Sequence, residues 1–311
     1  MKASQGNQTL WFSHFLCMVA QCGVLMLLLN ACGFQPAQAT PSSIPSTLTP
    51  TIKVTQVLRA TNIPVATEKA TTTPTETQGC TDTKGKLIAG EFESQLLKKP
   101  FNFQLYLPAC FNTDLELRYP VAYLMHGLYT DETQWNLIGL ADAMDTFIDQ
   151  FGKPFIVVMP RIPDADTQKN SPIMEVITDE LVTYVDKNYP TLIDRQYRAI
   201  GGISRGASLA LRIGYDRRDL FGKIGMHSLP MLVDESTYYA KALGKLDNDE
   251  RPLLFLDSGN DDRDLAVART FDIELTKLAI PHTWYMFNGY HDEVYWSEHL
   301  PIYLEWYGQG W

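Results

Sequence analysis

From residue 121 to residue 278 the chain repeats one unit, a short apolar run followed by a longer stretch with helical spacing, and few folds accept that rhythm. The apolar runs fall at 121–125, 155–159, 198–200, 223–226 and 253–256, and the helical patterns at 140–149, 173–187, 204–215, 235–246 and 265–278. A run without polar alternation marks a strand covered on both faces. Such strands alternating with helices predict an α/β fold, a mostly parallel central sheet with helices on both sides. Ahead of them, 87–94 and 101–107 alternate apolar with polar residues, as the half-buried strands of an antiparallel hairpin do. No internal repeat is visible, and no insertion is long enough for a separate lid domain.

The first 79 residues do not share this pattern. Lys2 precedes two apolar stretches, 15–20 and 24–29, so 1–32 has the shape of an export signal. Its end, Leu29-Asn30-Ala31-Cys32, is similar to a bacterial lipoprotein cleavage site with Cys32 as the lipidated first residue, although Asn30 departs from the small residue usual there. An uncleaved anchor over about 10–29 is the other reading. Both predict an exported chain tethered to a membrane through its N-terminus, and the apolar core is short for a span, which favours the lipoprotein. Residues 33–79 contain no Trp or Tyr, and about half of 41–79 is Thr, Pro or Ser. That composition cannot repay the entropy of folding and predicts a disordered linker. The folded domain is expected over 80–311.

The first 79 residues hold only four of the 26 Lys and Arg and two of the 36 Asp and Glu, which leaves a net charge of −12 on the rest. This argues against nucleic acid or an anionic membrane surface as a partner. Of five cysteines, Cys17, Cys22 and Cys32 lie in the signal region. Cys80 and Cys110 remain as a pair in an exported domain, where two thiols are expected to join as a disulfide. With no histidine near them they do not fill a tetrahedral metal site.

Chemistry enters at Gly202-Ile203-Ser204-Arg205-Gly206, which follows one apolar run and opens a helical stretch. A serine flanked by glycines at a strand-to-helix turn is lifted above the sheet edge as a nucleophile, with the helix N-terminus aimed at the same spot. A serine needs a base, and in the chain order of α/β-hydrolases the base comes last, after the acid. His291 fits, in the loop after the final strand pattern at 283–286, whereas His299 reads as a surface or helix-packing residue. The acid is expected after the preceding strand, in Asp257-Ser258-Gly259-Asn260-Asp261-Asp262-Arg263-Asp264. Asp262 is the preferred candidate and Asp261 the runner-up, while Asp257 could brace the loop through backbone hydrogen bonds. A calcium loop lacks its glycine position and closing glutamate here. The backbone N–H groups of Arg205 and Leu128 are the expected oxyanion donors. His126 is expected to hold the Leu128 loop by local hydrogen bonds, and His227 to brace another loop, with contact to substrate as its other reading.

Tyr123-Leu124-Met125-His126-Gly127-Leu128, Gly201-Gly202-Ile203-Ser204-Arg205-Gly206, Gly259-Asn260-Asp261-Asp262 and Gly289-Tyr290-His291-Asp292 together resemble the Putative esterase family, which includes esterase D, the feruloyl esterases, enterochelin esterase and the mycolyltransferases. The resemblance covers nearly all of 80–311. It implies an α/β-hydrolase fold and a serine esterase, with Ser204, Asp262 and His291 matching the triad and Leu128 and Arg205 the oxyanion donors. Ala207 departs from the pattern, since many members carry a glycine there. Tyr129, Trp135, Met231, Tyr290 and Trp296 fall in loops expected at the mouth of the site, a rim suited to an aromatic or sugar ring, with packing near the C-terminal helix as the equal alternative. The expected substrate is a small-molecule or carbohydrate ester, with no cofactor, no metal and no partner protein. Acyl transfer to a sugar or lipid acceptor on the same triad, or a non-catalytic glycan-binding surface protein, are the competing functions.

Overall fold

The computed structural model describes residues 81–111, 116–163 and 172–311. The expected signal segment with Cys32, the linker at 33–79 and Cys80 lie outside them. No helix of the described residues is long and apolar enough to cross a membrane.

Among the described residues eight strands form one sheet: β1 (Lys86–Ser94), β2 (Lys99–Leu107), β3 (Val121–Met125), β4 (Ile156–Pro160), β5 (Arg198–Ile203), β6 (Lys223–His227), β7 (Leu253–Gly259) and β8 (Thr283–Phe287). Their order across the sheet is β1-β2-β4-β3-β5-β6-β7-β8. The hairpin β1/β2 and the pair β2/β4 are antiparallel, and every other pairing is parallel. The gradient of burial follows that order. Every residue of β3, β4, β5 and β6 is buried, while the edge strands β1 and β8 are largely open. This is why the central strands are written as unbroken apolar runs and the first hairpin is not.

The pleat sends alternate side chains into two separate cores. In β3, Val121, Tyr123 and Met125 join one cluster and Ala122 and Leu124 the other. The first cluster packs under α5 (Arg205–Asp216), α6 (Val233–Leu243) and α7 (Leu265–Lys277), and the second under α2 (Leu140–Phe151) and α8 (Glu293–Gly308). Fully burying one such Leu, Val or Phe contributes about 1.5–3 kcal/mol, so a two-sided core of this size fixes strand order firmly.

Two features depart from a regular reading. The helical stretch expected at 173–187 is three pieces, α3 (Ile173–Glu175), a π-helical turn (Val176–Leu181) and α4 (Val182–Asn188). Within that turn Glu180 accepts from the Ser94 hydroxyl at 2.5 Å and from the Gln95 and Leu96 N–H groups at 2.8 and 3.1 Å, pinning the first hairpin. A short helix, α1 (Gln134–Leu137), follows β3 and carries no periodicity long enough to be read. At the far end of α8, Lys223 Nζ donates to the Tyr307 and Gln309 carbonyls, each at 2.6 Å, and lies 4.2 Å from the Trp311 ring. Burial, with Lys153 nearby, lowers the pKa of this amine to about 7, and it donates to the carbonyl end of the helix in either protonation state.

Candidate active site

The parallel strands all point their carboxyl ends to one edge, where open α/β sheets place their ligands. Ser204 sits there, between β5 and α5, with φ 53° and ψ −123°. A non-glycine residue avoids that region, and its backbone is held by hydrogen bonds from Ser204 N–H to the His227 carbonyl (2.8 Å) and from Ala207 N–H to the Ser204 carbonyl (2.8 Å). The flanking glycines serve close approach. A Cβ on Gly202 would collide with the Gly206 backbone, and one on Gly206 with the Met125 carbonyl. The motif therefore wedges the turn against the end of β3.

His291 Nε2 lies 2.8 Å from Ser204 Oγ, and His291 Nδ1 lies 2.9 and 3.1 Å from the two Asp262 oxygens. Asp262, between β7 and α7, is the carboxylate in this series. Asp261 is exposed, with its N–H bonded to the Gly289 carbonyl. Asp264 Oδ2 is 3.5 Å from the same Nδ1. Burial opposes ionisation of Asp262, but hydrogen bonds from His291, the Asp264 N–H and the Ser228 hydroxyl outweigh it and hold its pKa below the ordinary carboxylate value. Such an arrangement can take a proton from Ser204, because Nδ1–H donates to a carboxylate and leaves Nε2 as acceptor.

The loops bearing acid and base are interlocked. Asn260 N–H donates to the Phe287 carbonyl (2.8 Å), Asp261 N–H to Gly289 (3.0 Å), and Gly289 N–H to Asn260 Oδ1 (3.0 Å). A Cβ on Gly259 would strike the Gly289 carbonyl, and Gly289 itself has φ 143°. The two backbones touch because Gly259 lacks a side chain, while Gly289 supplies the positive φ and leaves room for the Tyr295 ring.

Two further His–Asp pairs exist among the described residues, and neither meets a serine. His282 Nε2 lies 2.9 Å from Asp272 on the helix side of β8. His227 is fully buried, with Nδ1 2.7 Å from Asp257 and Nε2 3.0 Å from the Tyr307 hydroxyl. The other Asp257 oxygen accepts from the Tyr295 and Tyr303 hydroxyls, both at 2.7 Å. Burial, together with Asp257, raises the pKa of these two tyrosines well above the ordinary value. Asp257 thus braces side chains of α8 rather than the loop backbone expected from sequence. His126, also buried, holds the loop after β3 through Gly127, and His299 packs between Phe287 and Tyr295 on α8.

Ser204 and His291 open into a cleft of about 550 Å³, whose wall includes Leu128, Tyr129, Val294 and Trp296, with Arg263 and Glu293 also lining it. Leu128 lines the cleft together with Ser204, and Arg205 starts α5. Tyr129 is 84% exposed at the mouth. Trp296 is mostly buried, packs edge-on against His291 (5.2 Å) and donates to Ser228 Oγ at 3.0 Å. Trp135 corrects the expected rim: it is 0% exposed, lies in the core under the sheet, and donates its indole N–H to the Met125 carbonyl at 3.1 Å. The ring fills the space beneath the end of β3, and it does not line the cleft. Sequence reasoning missed Ser228, buried at φ 54°, and Gln134, whose side-chain oxygen accepts from Gly127 N–H at 2.8 Å. Their one sequence signal is position, just past a buried strand at the edge that carries Ser204.

The family profile described as "Putative esterase" matches residues 94–307. Among curated proteins, an endo-1,4-beta-xylanase/feruloyl esterase of Xylanibacter ruminicola is 35% identical over 156 residues, 46% of this chain and 22% of that protein, so the chain spans about a fifth of the length of this relative. A solved ferulic acid esterase superposes with a TM-score of 0.66 at 23% identity, over 73% of this chain and 99% of that one. The fluorophosphonate-binding serine hydrolase F of Staphylococcus aureus gives 0.62 at 20%, over 73% and 99%. An S-formylglutathione hydrolase from Agrobacterium tumefaciens gives 0.60 at 16%, over 74% and 96%. The architecture they share with this chain is the α/β-hydrolase fold.

Proposed function

Since the chain belongs to the Putative esterase family, we propose that it is a carboxylic ester hydrolase with Ser204, His291 and Asp262 as nucleophile, base and orienting acid, exported and tethered to the cell envelope. The observation that carries the reading is the unbroken hydrogen-bonded series from Ser204 Oγ through His291 to Asp262, opening on a cleft. His291 Nε2 takes the Ser204 proton as Oγ attacks the ester carbonyl, and the oxyanion is met by the Leu128 and Arg205 N–H groups. The imidazolium then protonates the departing alkoxide, leaving an acyl-serine. Water, deprotonated by the same nitrogen, releases the acid and restores the hydroxyl.

The apolar wall of Leu128, Tyr129, Val294 and Trp296 suits an aryl acyl group, and the feruloyl esterase relative supports a hydroxycinnamoyl ester of a sugar as substrate. The export reading rests on 1–32, with Cys32 as the lipidated residue and 33–79 as a tether. A Cys80–Cys110 bridge belongs to the same reading, because two thiols in an exported domain are expected to join.

The test is a fluorophosphonate probe and a panel of acetyl, butyryl and feruloyl esters on wild type and Ser204→Ala. Labelling and hydrolysis are expected in the first and absent from the second, with feruloyl esters preferred. Unchanged hydrolysis in Ser204→Ala sinks the assignment. Palmitate labelling of cells, lost in Cys32→Ala, tests the anchor.

A further inference from the structure

Gly127 and Leu128 both line the cleft, and the groups that hold the peptide between them converge on its carbonyl oxygen. That oxygen, on Gly127, lies 2.8 Å from His126 Nδ1, 3.1 Å from Arg205 Nη2 and 3.1 Å from Thr130 Oγ1. The His126 tautomer follows from its other ring nitrogen. Nε2 accepts the Ile162 N–H at 2.9 Å, so it carries no hydrogen, and the proton of the neutral ring sits on Nδ1 as a donor to Gly127. A guanidinium can only donate, and Arg205 also grips the carbonyls of Ile162 at 3.0 Å and Pro163 at 3.2 Å, just past β4. It is 8% exposed.

In a planar trans peptide the C=O and the N–H point opposite ways. Donors that hold the Gly127 carbonyl on one side therefore aim the Leu128 N–H to the other. They also polarise the amide, since hydrogen bonds in a chain strengthen one another, and a loaded carbonyl makes its N–H a better donor.

We propose that the Arg205 guanidinium is a positioning residue for ester hydrolysis: with His126 and Thr130 it locks the Gly127–Leu128 peptide so that the Leu128 N–H meets the oxyanion. The backbone N–H of the same residue supplies the other donor, so one arginine sets both sides of the oxyanion site. The inference rests on Ser204 being the nucleophile.

Arg205→Met and Arg205→Lys in the full chain, beside wild type, test it with an aryl acetate, a fluorophosphonate and an aryl trifluoromethyl ketone. The ketone adds Ser204 Oγ to its carbonyl and leaves an oxyanion, so its affinity reads the two donors directly. Loss of one oxyanion donor costs about 10²–10³ in rate, and a misaimed donor less. In Arg205→Met, kcat is expected to fall about 10–100-fold with KM within about threefold, and ketone affinity to fall by the same factor as kcat. Arg205→Lys recovers little, because one ammonium cannot serve the three carbonyls in the guanidinium's planar fork. A folded Arg205→Met protein with only its melting temperature lowered, and with kcat and ketone affinity unchanged, overturns the proposal. Should that variant not fold, Arg205→Lys carries the same comparison: parallel losses support the proposal and unchanged values overturn it. If wild type is neither labelled nor active, both this inference and the nucleophile assignment fall. A labelled, active wild type beside unaffected Arg205 variants removes this inference alone.

Discussion

Replacing Asp262 by Asn asks how the acid is held as much as whether it is charged. Oδ1 of Asp262 accepts from the Asp264 N–H at 2.7 Å and lies 2.9 Å from His291 Nδ1, while Oδ2 lies 3.1 Å from the same nitrogen. The Ser228 hydroxyl also bonds to this carboxylate. In the variant one oxygen becomes an NH₂ group. Placed at the Oδ1 position it would face the Asp264 N–H, donor against donor, leaving a buried donor unmet at a cost of about 1–3 kcal/mol. Placed at the other position it leaves the Asp264 N–H its acceptor. The amide oxygen is therefore expected to stay at the Oδ1 position, still accepting from His291 Nδ1–H, and the tautomer that leaves Nε2 open to Ser204 survives. What is lost is charge. A hydrogen bond to an ionised partner contributes about 1.5–3 kcal/mol and a neutral one about 0.5–1.5, a deficit of about 1–2 kcal/mol. At about 1.36 kcal/mol per decade this lowers kcat roughly 5–30-fold, with KM unchanged. Inversion of the tautomer costs far more, about 10⁴ in serine proteases. Steady-state hydrolysis of an aryl acetate separates the two. A loss near 10⁴ in Asp262→Asn, equal to that in Asp262→Ala, would refute the orientation argued from the Asp264 N–H.

The lowered pKa of Asp262 also makes it a source of stability that depends on pH. With a folded value below the unfolded value near 3.8, it stabilises the fold above about pH 3.8 and loses that contribution as pH falls through the folded value. Urea midpoints of wild type and Asp262→Asn should differ at neutral pH and converge in acid; a gap that persists to the lowest pH contradicts this. Tyr129→Ala, at an exposed ring, is expected to leave the melting temperature unchanged and raise KM for feruloyl esters severalfold, whereas Trp135→Ala should destabilise the fold by about 3–5 kcal/mol. Thermal melts and KM values read both, and a reversed pattern would return Trp135 to the rim. Asp257→Ala strands donors from His227, Tyr295 and Tyr303 and should cost about 3–5 kcal/mol in chemical denaturation. Its folded fraction should still take a fluorophosphonate, and failure to do so would draw Asp257 into the chemistry.

Strands such as β3 and β5 were legible because burial on both faces leaves only apolar residues to write them with, and the pattern at 121–125 coincides with β3 from end to end. The Ser204 turn was legible for a different reason: Gly202 and Gly206 are required by backbone contact and so appear in the sequence itself. Other positions carry no such signature. Trp135 and Tyr129 look alike as aromatics past β3, yet one fills the core and the other stands in solvent, and only the turn of α1 decides which. Ser228 is one serine among many until Trp296, 68 residues away, folds over it. The choice of Asp262 over Asp261 depended on which carboxylate the Gly259–Gly289 contact turns inward, a relation between two loops that neither states alone.

That contact bears on how such an enzyme can be diversified. Because the segments after β7 and β8 share backbone bonds through Asn260 and Gly289, they behave as a single cassette carrying two reactive groups, mounted beside a serine that belongs to separate masonry. A chimera that imports one segment from a cousin and keeps the resident other would mismatch the seam and misplace both groups at once, whereas transplanting the two together should keep their spacing. Shuffling libraries ought therefore to yield working hybrids with crossovers ahead of β7 and few with crossovers between the pair.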